Sequence, residues 1–127
     1  MALERWDKHF DKHPGRAANP PTATLCTDGA MYLNTTLTEL IGPRRFAQFF
    51  LDREEKPPLL IIKFVPEGED YDRRFSYQQG TRSSMMTCQI GNMCREWRIS
   101  LAKKRRFPAT WDAARRTVTV RFREVSP

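Results

Sequence analysis

The chain has 127 residues, a net charge of +7 and an apolar fraction of 39%. This length predicts one compact body or two interlocked halves, with a modest core that excludes a large enzyme cleft with its own lid. The longest apolar run, Leu59–Val65, contains Lys63 and is far too short to cross a membrane as a helix.

The positive charge belongs mainly to the second half of the chain. Up to Pro66 there are nine Lys and Arg residues against eight Asp and Glu, whereas from Glu67 onward there are thirteen against seven. Such an excess favours an acidic partner, for example nucleic acid. Three cysteines without the spacing of a disulfide framework favour a reducing, cytoplasmic compartment over a secreted one.

Residues 1–22 are predicted to form an N-terminal arm and linker. Leu3, Trp6 and Phe10 recur with helical spacing and indicate a short amphipathic helix. The following PGRAANPP contains three prolines and a glycine, which favour an extended linker. The helix either packs loosely on the body or acts as a partner-docking arm that presents Trp6 and Phe10.

Residues 25–42 predict a hairpin followed by one short helix. Asp28 and Gly29 supply the positive φ angles of a tight turn, and the alternation after them indicates a strand with one buried face. The helix begins within residues 34–36 and ends at Gly42, which is a common C-terminal stop. Its apolar stripe consists of Leu37, Leu40 and Ile41.

Two strands are predicted next, over residues 46–51 and Leu59–Val65, with a polar loop between them. Residues 66–74 are acidic, contain a glycine and show no periodicity, so we expect a loop between two halves.

The second half shows the same succession of patterns. Phe75 begins a strand-like segment, Gly80 and Thr81 mark a turn, and another extended run leads into a helix. The apolar face of this helix consists of Ile90, Met93, Cys94 and Trp97. A basic strand or connection follows over residues 98–111, and the chain closes with a turn at residues 112–115 and a strand over residues 117–125.

The order strand, strand, helix, strand, strand therefore occurs twice, and a shift of 53 residues superposes the apolar stripes of the two helices. We predict an α+β fold, a small and mostly antiparallel β-barrel or sandwich with a short N-terminal helical arm. It is built from two ββαββ pseudo-repeats, residues 23–66 and 75–124, joined by the acidic loop within one compact domain of residues 23–127.

This element order resembles the swapped-hairpin barrel of AbrB/SpoVT-type proteins, and two copies in one chain resemble the MraZ arrangement. In that family two units interlock and a basic face binds DNA, so the resemblance implies a barrel with a DNA-binding face. DGAMYLNTTLTELIG and RRFPATWDAARRTVTV also resemble small phage and prophage proteins of unassigned function, with a GRI-x-LN-x-A-x-E-LG core and a closing RxYPAxWD segment.

The chain departs from the AbrB-type pattern in its first unit. Ala30 follows Gly29 where the family usually has arginine, and Asn34 stands where a proline usually opens the helix. The second turn contains Arg82, which is therefore the better candidate for a contact with DNA.

The strongest functional signal is a basic cluster near the C-terminus. If its two segments pair as strands, their outward side chains form one cationic face that suits phosphates or the carboxylates of a protein partner. The alternative is that the basic cluster is an ordinary solvated surface that keeps the protein soluble. Phe107 and Trp111, which interleave with the cluster, either stack on bases or close a core edge. With Arg82, the candidate binding residues are Arg98, Lys103, Lys104, Arg105, Arg106, Arg115, Arg116, Arg121 and Arg123.

No metal, cofactor or catalytic site is predicted. The cysteines lack the close pairing of a zinc knuckle, and Cys94 on an apolar helical face is best explained as a small core residue. Both histidines, His9 and His13, lie in the N-terminal arm, away from any candidate nucleophile.

We therefore predict a non-enzymatic nucleic-acid-binding or regulatory protein that uses its basic C-terminal face. The alternative is a phage-type interaction protein that inhibits or modulates a host protein or ribonucleoprotein, as an anti-CRISPR-like counter-defence inhibitor does. It would use the Trp6 and Phe10 arm, or the basic face, against an acidic surface.

Overall fold

A computed structural model describes residues 19–79 and 84–123. The predicted arm with Trp6 and Phe10, and the predicted turn with Gly80, Thr81 and Arg82, lie outside the described residues. The described part is mostly antiparallel β-structure with two short helices. The strands are β1 (Thr22–Leu25), β2 (Ala30–Leu33), β3 (Phe46–Asp52), β4 (Leu59–Val65), β5 (Arg73–Arg74), β6 (Ser76–Gln79), β7 (Ser84–Gln89), β8 (Arg105–Asp112) and β9 (Thr117–Arg121), and the helices are α1 (Thr35–Ile41) and α2 (Gly91–Trp97).

The nine described strands form one sheet in the order β5-β3-β4-β9-β8-β1-β2-β7-β6. The two edge strands, β5 and β6, are separated along the chain by Phe75 alone. The chain therefore pairs with β3 before Phe75 and with β7 after it, so the sheet curls into a nearly closed barrel. This confirms the predicted α+β class with a small antiparallel barrel, whereas the pseudo-repeat stays a prediction.

Alternating side chains from the strands fill the barrel interior. Phe75 is 1% exposed, and its N–H donates to the carbonyl of Arg45 at 2.7 Å. Its ring centroid lies 5.4 Å from that of Phe64 and 6.1 Å from that of Phe49. On β9, Val118 and Val120 are fully buried, as the alternation predicts. The residue that joins the two sheet edges thus also lies at the centre of the core.

The helix α1 begins and ends where the residue types predict. The side-chain oxygen of Asn34 accepts a hydrogen bond from the N–H of Leu37 at 3.0 Å, and Gly42 ends the helix with φ of 78°. Leu40 is 50% exposed although it belongs to the predicted stripe. The helix has only two turns, and residues 37 and 41 point into the barrel while residue 40 lies on the flank.

The two helices lie at opposite ends of the barrel. β2 and β7 are antiparallel neighbours, with Leu33 opposite Met86 and Ala30 opposite Gln89. Each of these strands is followed directly by a helix, so the helices leave the sheet in opposite directions. We call the two ends of the barrel the α1 end and the α2 end.

Two predictions, the bounds of the acidic loop and the offset between the two helices, are wrong. The predicted loop over residues 66–74 ends early, because Arg73 and Arg74 pair with β3, and a strand of two residues has no periodicity to detect. The shift of 53 residues is also wrong, because α1 begins at Thr35 and α2 begins at Gly91, 56 residues later. Ile90 precedes its helix as the N-cap residue, so it does not correspond to Leu37.

Gly29 is predicted to tolerate no larger residue, because the β1–β2 turn contacts the start of α2 backbone to backbone. Its carbonyl accepts from the N–H of Ile90 at 2.9 Å, its φ is +90°, and an added Cβ would lie 2.6 Å from the Cα of Gly91. We expect Gly29→Ala to lower the free energy of unfolding by about 3 kcal/mol through strain and overpacking. Urea denaturation measures this loss.

The matched control is Gly68→Ala. Gly68 has a φ of +100°, but an added Cβ there would meet no atom within 4 Å. This variant therefore reports the backbone strain alone, about 1–2 kcal/mol. Equal losses in the two variants would show that the contact between the turn and α2 does not limit residue size.

Thr38 is predicted to stabilise the α1 end through its hydroxyl group. It is 2% exposed, its hydroxyl donates to the carbonyl of Leu33 at 3.0 Å, and it accepts from the N–H of Met86 at 3.2 Å. Thr38→Val keeps the shape but leaves two buried polar groups unpaired, so we expect a loss of about 1–3 kcal/mol in urea denaturation. Thr38→Ser keeps the hydroxyl and should lose about 1 kcal/mol at most. Similar stability of the valine variant and the wild type would contradict this role.

Candidate nucleic-acid interface

Candidate cations lie at the start of strand β8 and in the turn that follows it. Its first four residues pair with β1 and its last four pair with β9. Arg105 and Asp112 are about 23 Å apart along an extended strand. Because Phe107 and Ala109 are buried, the outward positions are Arg106, Pro108, Thr110 and Asp112. The paired strands therefore do not form one continuous cationic face, and the predicted cluster divides into two groups.

The larger group lies at the α2 end and draws on three segments. Arg98 is the C-cap residue of α2, the connection over residues 99–104 returns to the sheet, and β8 begins at Arg105. The rings of Phe107 and Phe122 lie 5.0 Å apart, which keeps the end of β9 beside the start of β8. We call this group the basic rim, and its members are Arg98, Lys103, Lys104, Arg105, Arg106, Arg121 and Arg123.

Arg105 differs from the other members of the basic rim because it is partly buried. It donates a hydrogen bond to the carbonyl of Ser100 at 2.8 Å, and its guanidinium lies 5.1 Å from the ring of Phe107. Burial raises the pKa of Cys94, and the positive charge of Arg105 opposes that rise. Arg105 thus holds the connection against β8, whereas the other six members are exposed.

Arg115 and Arg116 lie in the turn after β8, at the α1 end. Arg116 has a φ of 52°, and its carbonyl accepts from the N–H of Phe64 at 2.8 Å. Arg115 lies 3.9 Å from a carboxylate oxygen of Asp112, and both side chains are more than half exposed. An ion pair of this kind contributes little to stability. The structure therefore separates these two predicted residues from the rim.

Acidic residues flank the basic rim but do not interrupt it: Glu96 precedes Arg98 by two residues, and Glu124 follows Arg123 in the sequence. Residues 98–106 and 121–123 contain neither Asp nor Glu, and the neighbouring loop over residues 53–56 contributes two charges of each sign. Within residues 19–79 and 84–123, the ion pair found is that of Arg115 with Asp112, so no rim member forms an ion pair with a residue in these ranges. These charges add to a positive potential at one end of the molecule.

A groove of about 770 Å³ opens beside the rim and contains three arginines that the sequence patterns do not single out. They are Arg73, Arg74 and Arg95. Arg73 is fixed by two carbonyl groups, since its Nε donates to Gln89 at 3.0 Å and its Nη1 donates to Asp72 at 2.8 Å. Leu101, from the connection that bears the rim lysines, also lines this first groove. Arg73 and Arg74 end an acidic loop and Arg95 lies on a short helix, and neither sequence context indicates a binding residue.

A second groove of about 440 Å³ shares Arg73 and Asn92 with the first. Its other lining residues combine aromatic, thioether and acidic side chains: Phe49, Tyr71, Asp72, Met93, Glu96 and Trp97.

The two aromatic residues within the basic cluster belong to the core. Phe107 is fully buried, and Trp111 packs against the core with its ring centroid 6.1 Å from that of Phe64. The interpretation that they close a core edge is therefore confirmed. The fully buried Cys94 is likewise a core residue, as predicted.

The described part of the chain shows no metal centre and no membrane-spanning helix. No group of three His, Cys, Asp or Glu side chains in residues 19–79 and 84–123 lies together so that it could hold a metal ion. No helix in these ranges is long and apolar enough to cross a membrane.

Comparison with models of known protein families, with curated proteins and with solved structures finds no match. The resemblance to AbrB/SpoVT-type proteins and to small phage proteins therefore stays a prediction.

Cys88, which lines the first groove, is predicted to make stability depend on alkaline pH. Burial raises the pKa of its thiol from 9.0 to about 12, and the charge of Arg73 only partly opposes this. Above pH 9 the unfolded thiol loses its proton while the native thiol keeps it, so ionisation favours the unfolded state. We expect the difference in the free energy of unfolding between the wild type and Cys88→Ala, measured by urea denaturation, to become smaller between pH 8 and pH 10.5. A constant difference would show that the native thiol ionises freely.

Proposed function

We propose that this is a non-enzymatic nucleic-acid-binding protein whose contact surface is the basic rim. The observation that carries the proposal is the meeting of seven cations from three segments at one end of the barrel, with no Asp or Glu within residues 98–106 and 121–123. Phosphate contacts from such a surface are independent of sequence and release counterions on binding. The function we assign is therefore binding through the nucleic-acid backbone, with a regulatory role as its consequence.

The environments of the arginines after each helix support this proposal. After α1, Arg44 donates to the carbonyl of Ile41 at 2.7 Å and Arg45 donates to the carbonyl of Gly42 at 2.8 Å. Their guanidinium groups also lie over the rings of Trp111, at 5.5 Å, and Tyr77, at 4.5 Å. The cations after α2, apart from Arg105, are exposed instead. Exposed cations are available for phosphates, whereas the arginines after α1 serve the fold.

We also retain the internal duplication as part of this proposal. The order β1, β2, α1, β3, β4 recurs as β6, β7, α2, β8, β9, with β5 between the two sets. Every member of the basic rim belongs to the second set or its connections. In this view the first unit is scaffold and the second unit carries the binding surface.

An acidic protein or ribonucleoprotein surface is the second candidate partner. Phe50 favours it, because this side chain is 48% exposed and lies opposite the partly buried Ile61 on the outer face of the barrel. Exposed aromatic residues are enriched at protein interfaces, and arginine binds carboxylates as well as phosphates.

The proposed function is tested with two double variants that change the net charge by the same amount. Lys104→Glu with Arg106→Glu alters the rim, and Arg115→Glu with Arg116→Glu alters the turn at the other end. Binding of fluorescein-labelled 30-nucleotide DNA and RNA is followed by anisotropy from 50 to 300 mM KCl. We expect the rim variant to lose about two phosphate contacts, which for these single strands lowers the slope of log K against log salt by about 1.4 and the affinity about tenfold or more.

The turn variant is the control, and its affinity and salt slope should stay close to those of the wild type. Equal losses in both variants would point to net charge rather than to the rim. Absence of salt-dependent binding to either nucleic acid would overturn the proposal and leave the acidic protein partner.

A further inference from the structure

The two grooves beside the rim meet at Arg73 and Asn92, and together they pass from a cationic region to an aromatic one. The first groove is lined by Leu101, which belongs to the connection that also bears Lys103 and Lys104, so the groove adjoins the basic rim. The second groove lies on the other side of the shared pair, between α2 and the chain before β5. Volumes of about 770 and 440 Å³ are within the usual range for small-ligand sites, about 300–1,000 Å³.

The first groove has the chemistry of a phosphate site. Its three arginines come from β5 and α2, and its one carboxylate, Asp28, already accepts from the N–H of Ala30 at 3.0 Å. The carbonyls of Gln89 and Asp72 hold the Nε and Nη1 of Arg73, so its guanidinium is oriented in advance. Oriented arginine forks bind phosphate oxygens through paired hydrogen bonds. Hydroxyl groups that can add further bonds come from Thr27, Ser76 and Thr87.

The second groove has the chemistry of a nucleobase site. Tyr71 is 49% exposed, and its ring is held edge-on against Phe46 with a centroid distance of 4.8 Å. Trp97 and Met93 add partly buried apolar surface. The side-chain oxygen of Asn92 accepts a hydrogen bond from the guanidinium of Arg95, so the amide N–H groups of Asn92 and the exposed carboxylate of Glu96 are the hydrogen-bonding groups beside these rings. Aromatic rings with adjacent polar groups bind unstacked bases, whose edges and faces are both accessible.

We propose that these two grooves bind one unpaired nucleotide of a single strand, with its phosphate on Arg73, Arg74 and Arg95 and its base against Tyr71 and Trp97. The inference rests on the proposed function and names its substrate as single-stranded rather than duplex nucleic acid. In a duplex both faces of each base are covered by neighbouring bases, so no face is available to Tyr71. The strand then continues from the first groove onto the basic rim.

The test separates the contribution of the base from that of the phosphates. The probes are a labelled dT 12-mer, an abasic 12-mer with the same phosphates, and a 12-base-pair duplex. We expect the wild type to bind the dT 12-mer more tightly than the other two. Tyr71→Ala should weaken binding of the dT 12-mer about fivefold or more and leave the abasic 12-mer within twofold, because only stacking is lost.

Tyr71→Phe is the matched control, and it should bind the dT 12-mer as the wild type does because the ring is kept. Arg95→Ala should weaken the dT and abasic 12-mers alike. Equal effects of Tyr71→Ala on those two probes, or duplex binding as tight as dT binding, would overturn the inference. Competition by dTMP as effective as that by the 12-mer, per nucleotide, would also overturn it in favour of a free nucleotide.

The two proposals fail in different ways. If Lys104→Glu with Arg106→Glu leaves all binding unchanged, the proposed function fails. If that double variant removes binding of every probe but Tyr71→Ala has no effect specific to the dT 12-mer, the rim is the binding surface and only the assignment of the grooves is wrong.

Discussion

The barrel depends on the change of partner at Phe75. Before this residue the chain is hydrogen-bonded to β3, and after it the chain is hydrogen-bonded to β7, so one segment joins both edges of the sheet. The buried ring and the bond to the carbonyl of Arg45 keep the crossing point in place. A consequence follows for the surface, because Arg73 and Arg74 are drawn against β7 and α2 instead of lying in a free loop. The same change of partner that brings the two sheet edges together thus assembles the wall of the first groove.

The α2 end differs from the α1 end in how its cations are used. At the α1 end, Arg44 and Arg45 donate to carbonyl groups and lie over aromatic rings, and neither of them lines the two grooves. At the α2 end, the close approach of Gly29 and Gly91 joins the hairpin turn to the helix backbone. Within residues 19–79 and 84–123, Arg105 is the rim member whose side chain donates to a backbone carbonyl, and the other six members are exposed. A contact between backbones such as that of Gly29 with Gly91 favours a binding surface, since less entropy is lost on binding when the support is already ordered.

Much of the fold could be predicted from local patterns, because those patterns reflect backbone chemistry. Asn34 begins α1 because its side chain caps the helix, and Gly42 ends α1 because glycine readily adopts a positive φ. Leu59–Val65 forms a central strand because most of its apolar side chains must be buried. The division of the basic cluster could not be predicted, because it depends on how far β8 extends and on which half pairs with β1. The arginines of the first groove could not be predicted from the sequence either. Arg73 and Arg74 follow an acidic loop, and only the closure of the barrel places them near Arg95.

The proposed function assigns different parts of recognition to the rim and to the grooves. Exposed lysines and arginines attract phosphates over a distance of about 10 Å at moderate salt, but they cannot distinguish a base from its absence. A base contact requires a ring with an open face close to an oriented cation, and Tyr71 near Arg73 provides this pair. Leu101 lines the first groove and belongs to the connection that bears the rim lysines, so in the proposed complex a strand attracted by the rim meets the grooves next. The proposal thus assigns affinity to long-range attraction and the choice of an unpaired strand to the short-range fit at the grooves.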